Sequence, residues 1–344
     1  MPVTIYDIAK RAGVSIATVS RVLNGSNRVS DRTKSNVLEV ASALGYQPHV
    51  SARSLARRKS SIVSAVIPML TNYFFVEILR GLQDRMAESE YDLLVFACRT
   101  MEEVDVQLER ALQRGQSAGI LVFSSPMSPE RADRLRASRQ NVVLVDCFHE
   151  GLDAVTTDNV FGGELATQHL IACGCRRIAM IMANPESVPA RDRHTGYLKA
   201  MQEAGLPVEP HLVATSKEVL HHGYTEQEGY VAMQSLLKDE VYPDGVFATS
   251  DIQAIGALRA IREASLEVPR DIRVVGFDDI LISRHVGLST VRQPMYEMGV
   301  MAADRLIARI ETRDQPRGQT ELSPRLVVRR TTESPENIRA EVAG

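Results

Sequence analysis

The 344-residue sequence has no uninterrupted apolar run approaching a membrane span. Its opening residues reach Asp7 with no apolar stretch after it, so no secretory leader is expected. Four cysteines, Cys98, Cys147, Cys173 and Cys175, are too few for a disulfide framework in a chain this long. The Cys173-Gly174-Cys175 pair has no second ligand pair at metal spacing, so buried reduced thiols are expected there rather than zinc. There is no G-x-G-x-x-G, no phosphate loop and no H-E-x-x-H. Together these absences point to a cytoplasmic protein with no cofactor and no membrane partner.

Catalysis also finds little to stand on. Gly115-Gln116-Ser117-Ala118-Gly119 matches the G-x-S-x-G pattern of serine hydrolases. A nucleophile elbow, however, follows a strand and opens a helix, whereas this stretch follows the helical "VDVQLERALQR" and opens the strand "AGILVF". The pair His221-His222 has no acidic or cysteine partner at ligand spacing and reads as a solvated loop. No catalytic residue is assigned, and the chain is expected not to be an enzyme.

What is present is a divided charge. The net value is only −3, yet residues 1–60 carry ten Lys and Arg against three acids. The head is therefore +7 and the remainder −10, which suggests a basic head that meets a polyanion. The length fits two or three domains.

The head reads as three helices. Thr4 caps a helix over Ile5–Arg11 with Asp7 three residues on, and Gly13 supplies the turn. Ser15 caps a second helix over Ile16–Leu23, stopped by Asn24-Gly25. Ser30 caps a third over about Asp31–Leu44, ended by Gly45. Ile5, Ile8, Val14, Val19, Val22, Leu23, Val37, Ala41 and Leu44 form its expected core. A slim second helix suits the major groove of duplex DNA. Thr18 and Ser20 would reach phosphates, Arg21 would fork onto a guanine, and Ile16 and Ala17 would touch thymine methyls.

"TIYDIAKRAGVSIATVSRVLNG" followed by "VSDRTKSNVLEVASALGYQPHVSARSLARRKS" resembles the head and hinge of the lactose/galactose-repressor (LacI) family. The likeness continues through the whole chain. It implies that Ile16, Ala17 and Arg21 read bases, that Asn24 and Arg28 assist, and that the Ser30–Lys34 turn, with Thr33, holds backbone phosphate. Thr4, Tyr6, Ser15 and Tyr46 complete the implied contact set. The Ile16-Ala17 pair is nearer the galactose type than the lactose type. Residues 51–60, "SARSLARRKS", are polar apart from Ala52, Leu55 and Ala56, and alone would make a flexible basic linker. The resemblance implies instead a hinge helix that forms on DNA beside its dimer mate. Leu55, with Ala56, would then wedge into the minor groove while Arg53 and Arg57 sit near phosphates.

From Ile62 onward, apolar strands alternate with amphipathic helices. The first strands are "IVSAVI" (62–67), "YDLLVFA" (91–97), "AGILVF" (118–123) and "NVVLVD" (141–146). After a break at Thr156–Gly163 come "RIAMIM" (177–182), "HLVAT" (211–215), "GVFATS" (245–250) and "IRVVGF" (272–277). Continuous apolar strands mean parallel sheets covered on both faces. The fold class expected is a small all-α helix-turn-helix domain plus an α/β, periplasmic-binding-protein-like core of two doubly wound lobes. The boundaries read as 1–46 for the head, 47–60 for the hinge and 61–344 for the core. Within the core the N-lobe takes about 61–159 and 291–322, and the C-lobe about 160–290 and 323–335. The family implies the late crossovers, through "STVRQP" and the helix from Met295, and back through "RLVVRR".

Ligands of such lobes bind at the C-terminal strand edges. There the candidates are Asn72, Tyr73 and Phe74, with Phe75 assigned to the core, and Asp251 at a strand-to-helix turn, as cap or as ligand contact. Ser124, Asp146 and Gln293 are weaker cleft candidates. The resemblance implies that Arg193 is the effector-binding arginine, Tyr224 an aromatic platform and Asp278 an acceptor for sugar hydroxyls. Arg191 and Asp192 read as solvated or ion-paired, and Ser250 stands where the family usually has Asn.

The function expected is a homodimeric, sequence-specific transcriptional regulator, most simply a repressor on a pseudo-palindromic operator. A small effector in the cleft, a sugar or sugar derivative, would control it. The alternatives are a corepressor-dependent or activating regulator answering to a non-sugar metabolite, an exported solute-binding protein, and a non-selective nucleoid protein. A solute-binding protein has no use for a basic head, and a nucleoid protein none for a large sensor. The tail "TTESPENIRAEVAG" carries no sustained heptads, so no tetramer is expected.

Overall fold

The computed structural model describes residues 3–23, 28–46, 60–113, 117–218, 220–238, 241–312 and 316–333. The chain divides into a unit of residues 1–61 with 114–118, and a second unit holding the rest.

The first unit contains α1 (Ile5–Ala12), α2 (Ile16–Leu23) and α3 (Asp31–Ala43). At the start of α1 the Thr4 backbone N–H and hydroxyl both donate to the Asp7 carboxylate, at 2.9 and 2.7 Å. Those bonds hold the Asp7 carboxyl below its usual range. Gly13, at φ 66°, closes the helix in the left-handed region. The Ser15 and Ser30 hydroxyls accept from the Thr18 and Thr33 N–H groups and so start α2 and α3. Ile8, Val19 and Val37 are fully buried at the centre, with Ala9, Val22 and Ala41 around them. The expected Ile5, Val14, Leu23 and Leu44 pack against this centre from the rim.

The second unit begins with β1 (Ile62–Pro68), α4 (Tyr73–Ala87), β2 (Asp92–Cys98), α5 (Met101–Ala111), β3 (Gly119–Phe123), α6 (Pro129–Ala137), β4 (Asn141–Val145) and β5 (Asp153–Thr157). It continues into another lobe with α7 (Asn159–Ala172), β6 (Ile178–Met182), α8 (Val188–Glu203), β7 (Val213–Thr215), α9 (Glu226–Leu236) and β8 (Gly245–Ala248). Then follow α10 (Asp251–Glu263), β9 (Arg273–Asp278), α11 (Leu281–Val286) and β10 (Ser289–Arg292). The chain returns to the first lobe as α12 (Met295–Glu311) and β11 (Gln319–Leu322), and ends in the second with β12 (Arg325–Val327).

Each lobe is built on six strands, ordered β2-β1-β3-β4-β5-β11 and β7-β6-β8-β9-β10-β12. All pairings are parallel except β10 with β12. Alternation along the central strands divides the core. In β3, Leu121 and Phe123 join Phe75, Ile78 and Leu82 on one face, while Ile120 and Val122 join Leu108 and Leu144 on the other. In β6, Met180 and Met182 face Tyr197 while Ala179 and Ile181 face Met233 and Ile261. Among the described residues no helix is long and apolar enough to cross a membrane.

One expectation needs correction. The break read at Thr156–Gly163 is instead a strand, β5, running straight into α7. Its Asp153 masks the apolar pattern, yet Asp153 is buried because Arg305, at 2.8 Å, and Arg309 neutralise it from α12. Gly162 and Gly163 lie inside α7, and a Cβ on Gly163 would stand 2.2 Å from the Arg193 carbonyl oxygen. Gly163 lets α7 approach α8 and Gly162 makes room for the Phe277 ring; neither ends an element. The tail is anchored at its root. Thr331 and Thr332 are buried, and the Thr331 hydroxyl donates to Val274 O while accepting from the Ser289 N–H.

Candidate functional site

Parallel strands deliver side chains to one edge, and both sheets do so here. A cleft of about 640 Å³, counted to its open mouth, lies at these edges. From the first lobe it takes Met69 and Asn72 after β1, Ser124, Ser125 and Pro126 after β3, and Asp146 and Cys147 after β4. The second lobe adds Ser187, Val188 and Arg193 around the start of α8, Ser250 after β8, and Asp278 at the end of β9. Phe74, Phe75, His222 and Tyr224 complete the wall.

The local chemistry sets each group. Asn72 caps α4, its Oδ1 accepting from the Phe74 N–H at 3.0 Å. Ser124 and Asp146 both hold left-handed backbone, φ 36° and 55°, which turns them off the strand ends. The Ser124 hydroxyl donates to Asp146 Oδ2 at 2.6 Å. Burial pushes the Asp146 carboxyl up to about 6, against the lowering pull of that bond and of Arg193. Arg193 is 3% exposed. It donates from Nε to Asn159 Oδ1 at 2.9 Å and from Nη1 to Thr249 O at 2.5 Å, and lies 3.7 Å over the Phe277 ring. Asp278, at φ 116°, has Oδ1 3.9 Å from Arg193 and accepts there from Gln293 Nε2 at 2.7 Å. Burial raises its carboxyl too, opposed by Arg193. The Tyr224 and Ser187 hydroxyls pair at 2.9 Å.

Several expected positions fall elsewhere. Tyr73 is 46% exposed and is not part of the cleft wall, whereas its neighbour Phe75 both lines the cleft and fills the core. Two residues along a helix are a turn of about 200°, enough to exchange the two roles. Asp251 is neither cap nor cleft residue. Ser250 caps α10, and Asp251 is fully buried, accepting from Ile280 N (2.9 Å), Ser283 Oγ (2.6 Å) and Thr290 Oγ1 (2.5 Å). Gln293 is buried behind Asp278 rather than in the wall, and its Oε1 has no partner among the described residues. His222 was expected to be solvated, but it is 5% exposed and lines the cleft. A loop has no periodicity to reveal this; the one signal was its place two residues before Tyr224.

On α2 of the head, Ser15, Ile16, Ala17 and Arg21 are exposed while Thr18 and Ser20 are half-buried. Tyr6, Arg28, Ser30 and Lys34 are exposed as well. The hydroxyls of Thr4, Thr18 and Thr33 are tied to Asp7, Ser15 and Ser30. Tyr46 packs partly buried against the head core. Asn24, Arg53, Leu55, Ala56 and Arg57 lie outside the described residues.

Comparison with known proteins agrees with both halves of this picture. Residues 4–49 match the family of bacterial regulatory proteins, lacI family, and residues 167–332 match a periplasmic binding protein-like domain. The chain is 33% identical to the HTH-type transcriptional regulator RegA of Clostridium saccharobutylicum, over 96% of its own length and 100% of the relative. Among solved structures it is similar to the lac repressor dimer bound to operator and the anti-inducer ONPF, with a TM-score of 0.84 and 26% identity. That match covers 97% of this chain and 100% of the other. The complex of the transcriptional regulator CelR with cellobiose gives a TM-score of 0.72 and 30% identity, over 96% and 99% of the two chains. A helix-turn-helix head joined to a two-lobed sensor is the arrangement of these regulators, and the chain belongs to the lacI family, as a DNA-binding transcriptional regulator rather than an enzyme.

Proposed function

We propose that the protein represses transcription as a homodimer on a pseudo-palindromic operator, and that a neutral, sugar-like molecule in the cleft sets its occupancy. The observation that carries the ligand class is what the cleft leaves unspent. Asp146 Oδ1 and Asp278 Oδ2 are acceptors without a hydrogen-bond donor among the described residues, and they call for ligand hydroxyls. The Asn72 amide nitrogen and the outer Arg193 nitrogen supply donors. Two buried carboxyls against one guanidinium disfavour an anion, and the Phe74 and Phe75 rings offer apolar faces. Cellobiose in the CelR complex is a ligand of this class.

The head reads DNA through the exposed face of α2, with Ile16, Ala17 and Arg21 at the bases. Residues 47–60 serve as the hinge, and Leu55 as its minor-groove wedge. For the dimer, the support is an apolar strip along the sheet edge at β2: Leu94 on the strand, Tyr73 and Val76 on α4 and Val106 on α5 are all exposed. The lac repressor it resembles is a dimer on its operator.

A thermal-shift screen of neutral sugars, sugar acids and nucleobases against the full-length protein tests the ligand class. A neutral sugar is expected to raise Tm. A response confined to acids or nucleobases would overturn the sugar reading and favour a non-sugar metabolite.

A further inference from the structure

The stretch ahead of α9 holds His222 in a position that chain geometry alone does not reward. Its backbone is left-handed, φ 50°, and Gly223 follows at φ 77°. The turn is pinned on both sides. The Asn184 N–H donates to His222 O at 2.8 Å, and Gln253 Nε2 donates to Gly223 O at 3.0 Å. A Cβ on Gly223 would sit 2.4 Å from Ser216 Oγ, so this packing admits only glycine there. The imidazole is thus fixed in place, 5% exposed, in the cleft wall with Ser187 and Tyr224.

Its Nδ1 is buried and has no hydrogen-bond partner among the described residues. Burial lowers the histidine's pKa against the opposing charge of Glu186, so the ring is neutral and has one donor and one acceptor nitrogen. A strained backbone and an unsatisfied buried nitrogen are both unfavourable, and they persist together where a ligand supplies what the chain does not. Tyr224 is half-spent on Ser187 and Arg193 is committed through two of its nitrogens. Among the described residues, the imidazole is the polar side chain of this wall with no hydrogen-bond partner.

We propose that His222 is a specificity-determining residue of the cleft, hydrogen-bonding one hydroxyl of a neutral polyhydroxylated ligand and so selecting the configuration at that carbon. The proposal rests on the sugar reading of the cleft and adds to it which side chain chooses among sugars.

The test uses full-length wild type, His222→Ala and His222→Asn. Each is titrated calorimetrically with D-ribose, D-glucose, D-galactose, cellobiose and myo-inositol, and then with the deoxy analogues of whichever binds wild type best. Alanine is expected to weaken that ligand roughly tenfold. One deoxy analogue should bind wild type and His222→Ala alike, because the hydroxyl that His222 recognises is missing. Asparagine tolerates left-handed backbone and keeps a donor and an acceptor, so it should restore most of the affinity. An alanine variant with unchanged affinity and unchanged choice overturns the role. So does an equal loss for every sugar and every deoxy analogue, which marks a purely structural residue. If alanine does not fold, the asparagine variant decides: unchanged ranking of the deoxy analogues supports the assignment and a scrambled ranking overturns it. Wild type that binds none of the panel overturns the sugar reading itself, and this assignment with it.

Discussion

An aspartate at the C-terminal edge of a parallel sheet is a candidate ligand by position, and Asp146, Asp251 and Asp278 all qualify. What separates them is how many donors the protein already supplies. Asp146 and Asp278 each have one hydrogen-bond donor and keep an oxygen for a guest, whereas Asp251 has three and none to spare. Replacing Asp251 with Ala should therefore lower the unfolding free energy by about 2–4 kcal/mol, by orphaning Ile280 N–H and the Ser283 and Thr290 hydroxyls. Asn should cost less, because burial already disfavours the charged carboxyl and the Thr290 hydroxyl can turn to accept. Denaturant unfolding of the two variants checks the order; equal losses would contradict it. The sequence could place these acids at strand ends but could not count their donors, since Ser283 and Thr290 lie more than thirty residues away. Tyr73 and His222 escaped for a related reason: the side of a turn on which a side chain falls is set by backbone angles, which composition does not encode.

Between elements, α7 and α8 meet backbone to backbone at glycines. Gly163 faces the Arg193 carbonyl, and a Cβ on Gly196 would lie 2.0 Å from Val160 O. Since α8 carries Arg193, helix separation and guanidinium position are one variable. Gly196→Ala should cost about 1–3 kcal/mol through overpacking. It should also weaken whatever ligand the wild type binds, although residue 196 is outside the cleft wall. Retained affinity in a destabilised protein would show that Arg193 is positioned independently of the helix contact. Most elements were legible because continuous Val, Ile and Leu runs and helix caps carry local signals. β5 and α7 were not, because Asp153 is tolerated only by arginines some 150 residues later, and a helix glycine has the same letter as a turn glycine.

For the whole sensor, what matters is how the cleft reaches the rest of the second unit. The segment from β10 to α12 passes from one lobe to the other, and Gln293 lies on it. Its amide donates to Asp278, and its own N–H donates to the Asp278 carbonyl at 3.3 Å. A ligand that engages Asp278 therefore pulls on a crossover strand. Gln293→Leu should leave ligand affinity within a few-fold of wild type while reducing the ligand's effect on operator affinity. The coupling at stake in such a regulator is on the order of 1–3 kcal/mol. Operator titrations with and without ligand measure it, and undiminished coupling would remove Gln293 from the route. The two-lobed plan was readable from strand rhythm, while the late crossovers came only from resemblance, since periodicity does not say which sheet a strand joins.

Those crossovers have a consequence for synthesis. The first lobe opens at Ile62, yet α12 and β11, which cover and extend its sheet, end at Glu311 and Leu322. The ribosome must deliver the chain through Leu322 before this lobe has all its parts, even though the later-starting lobe lacks only β12 by residue 292. Nascent chains arrested before residue 295 should accordingly expose the apolar face of β1 and α4 to chaperones, and an early stop codon will leave neither half complete.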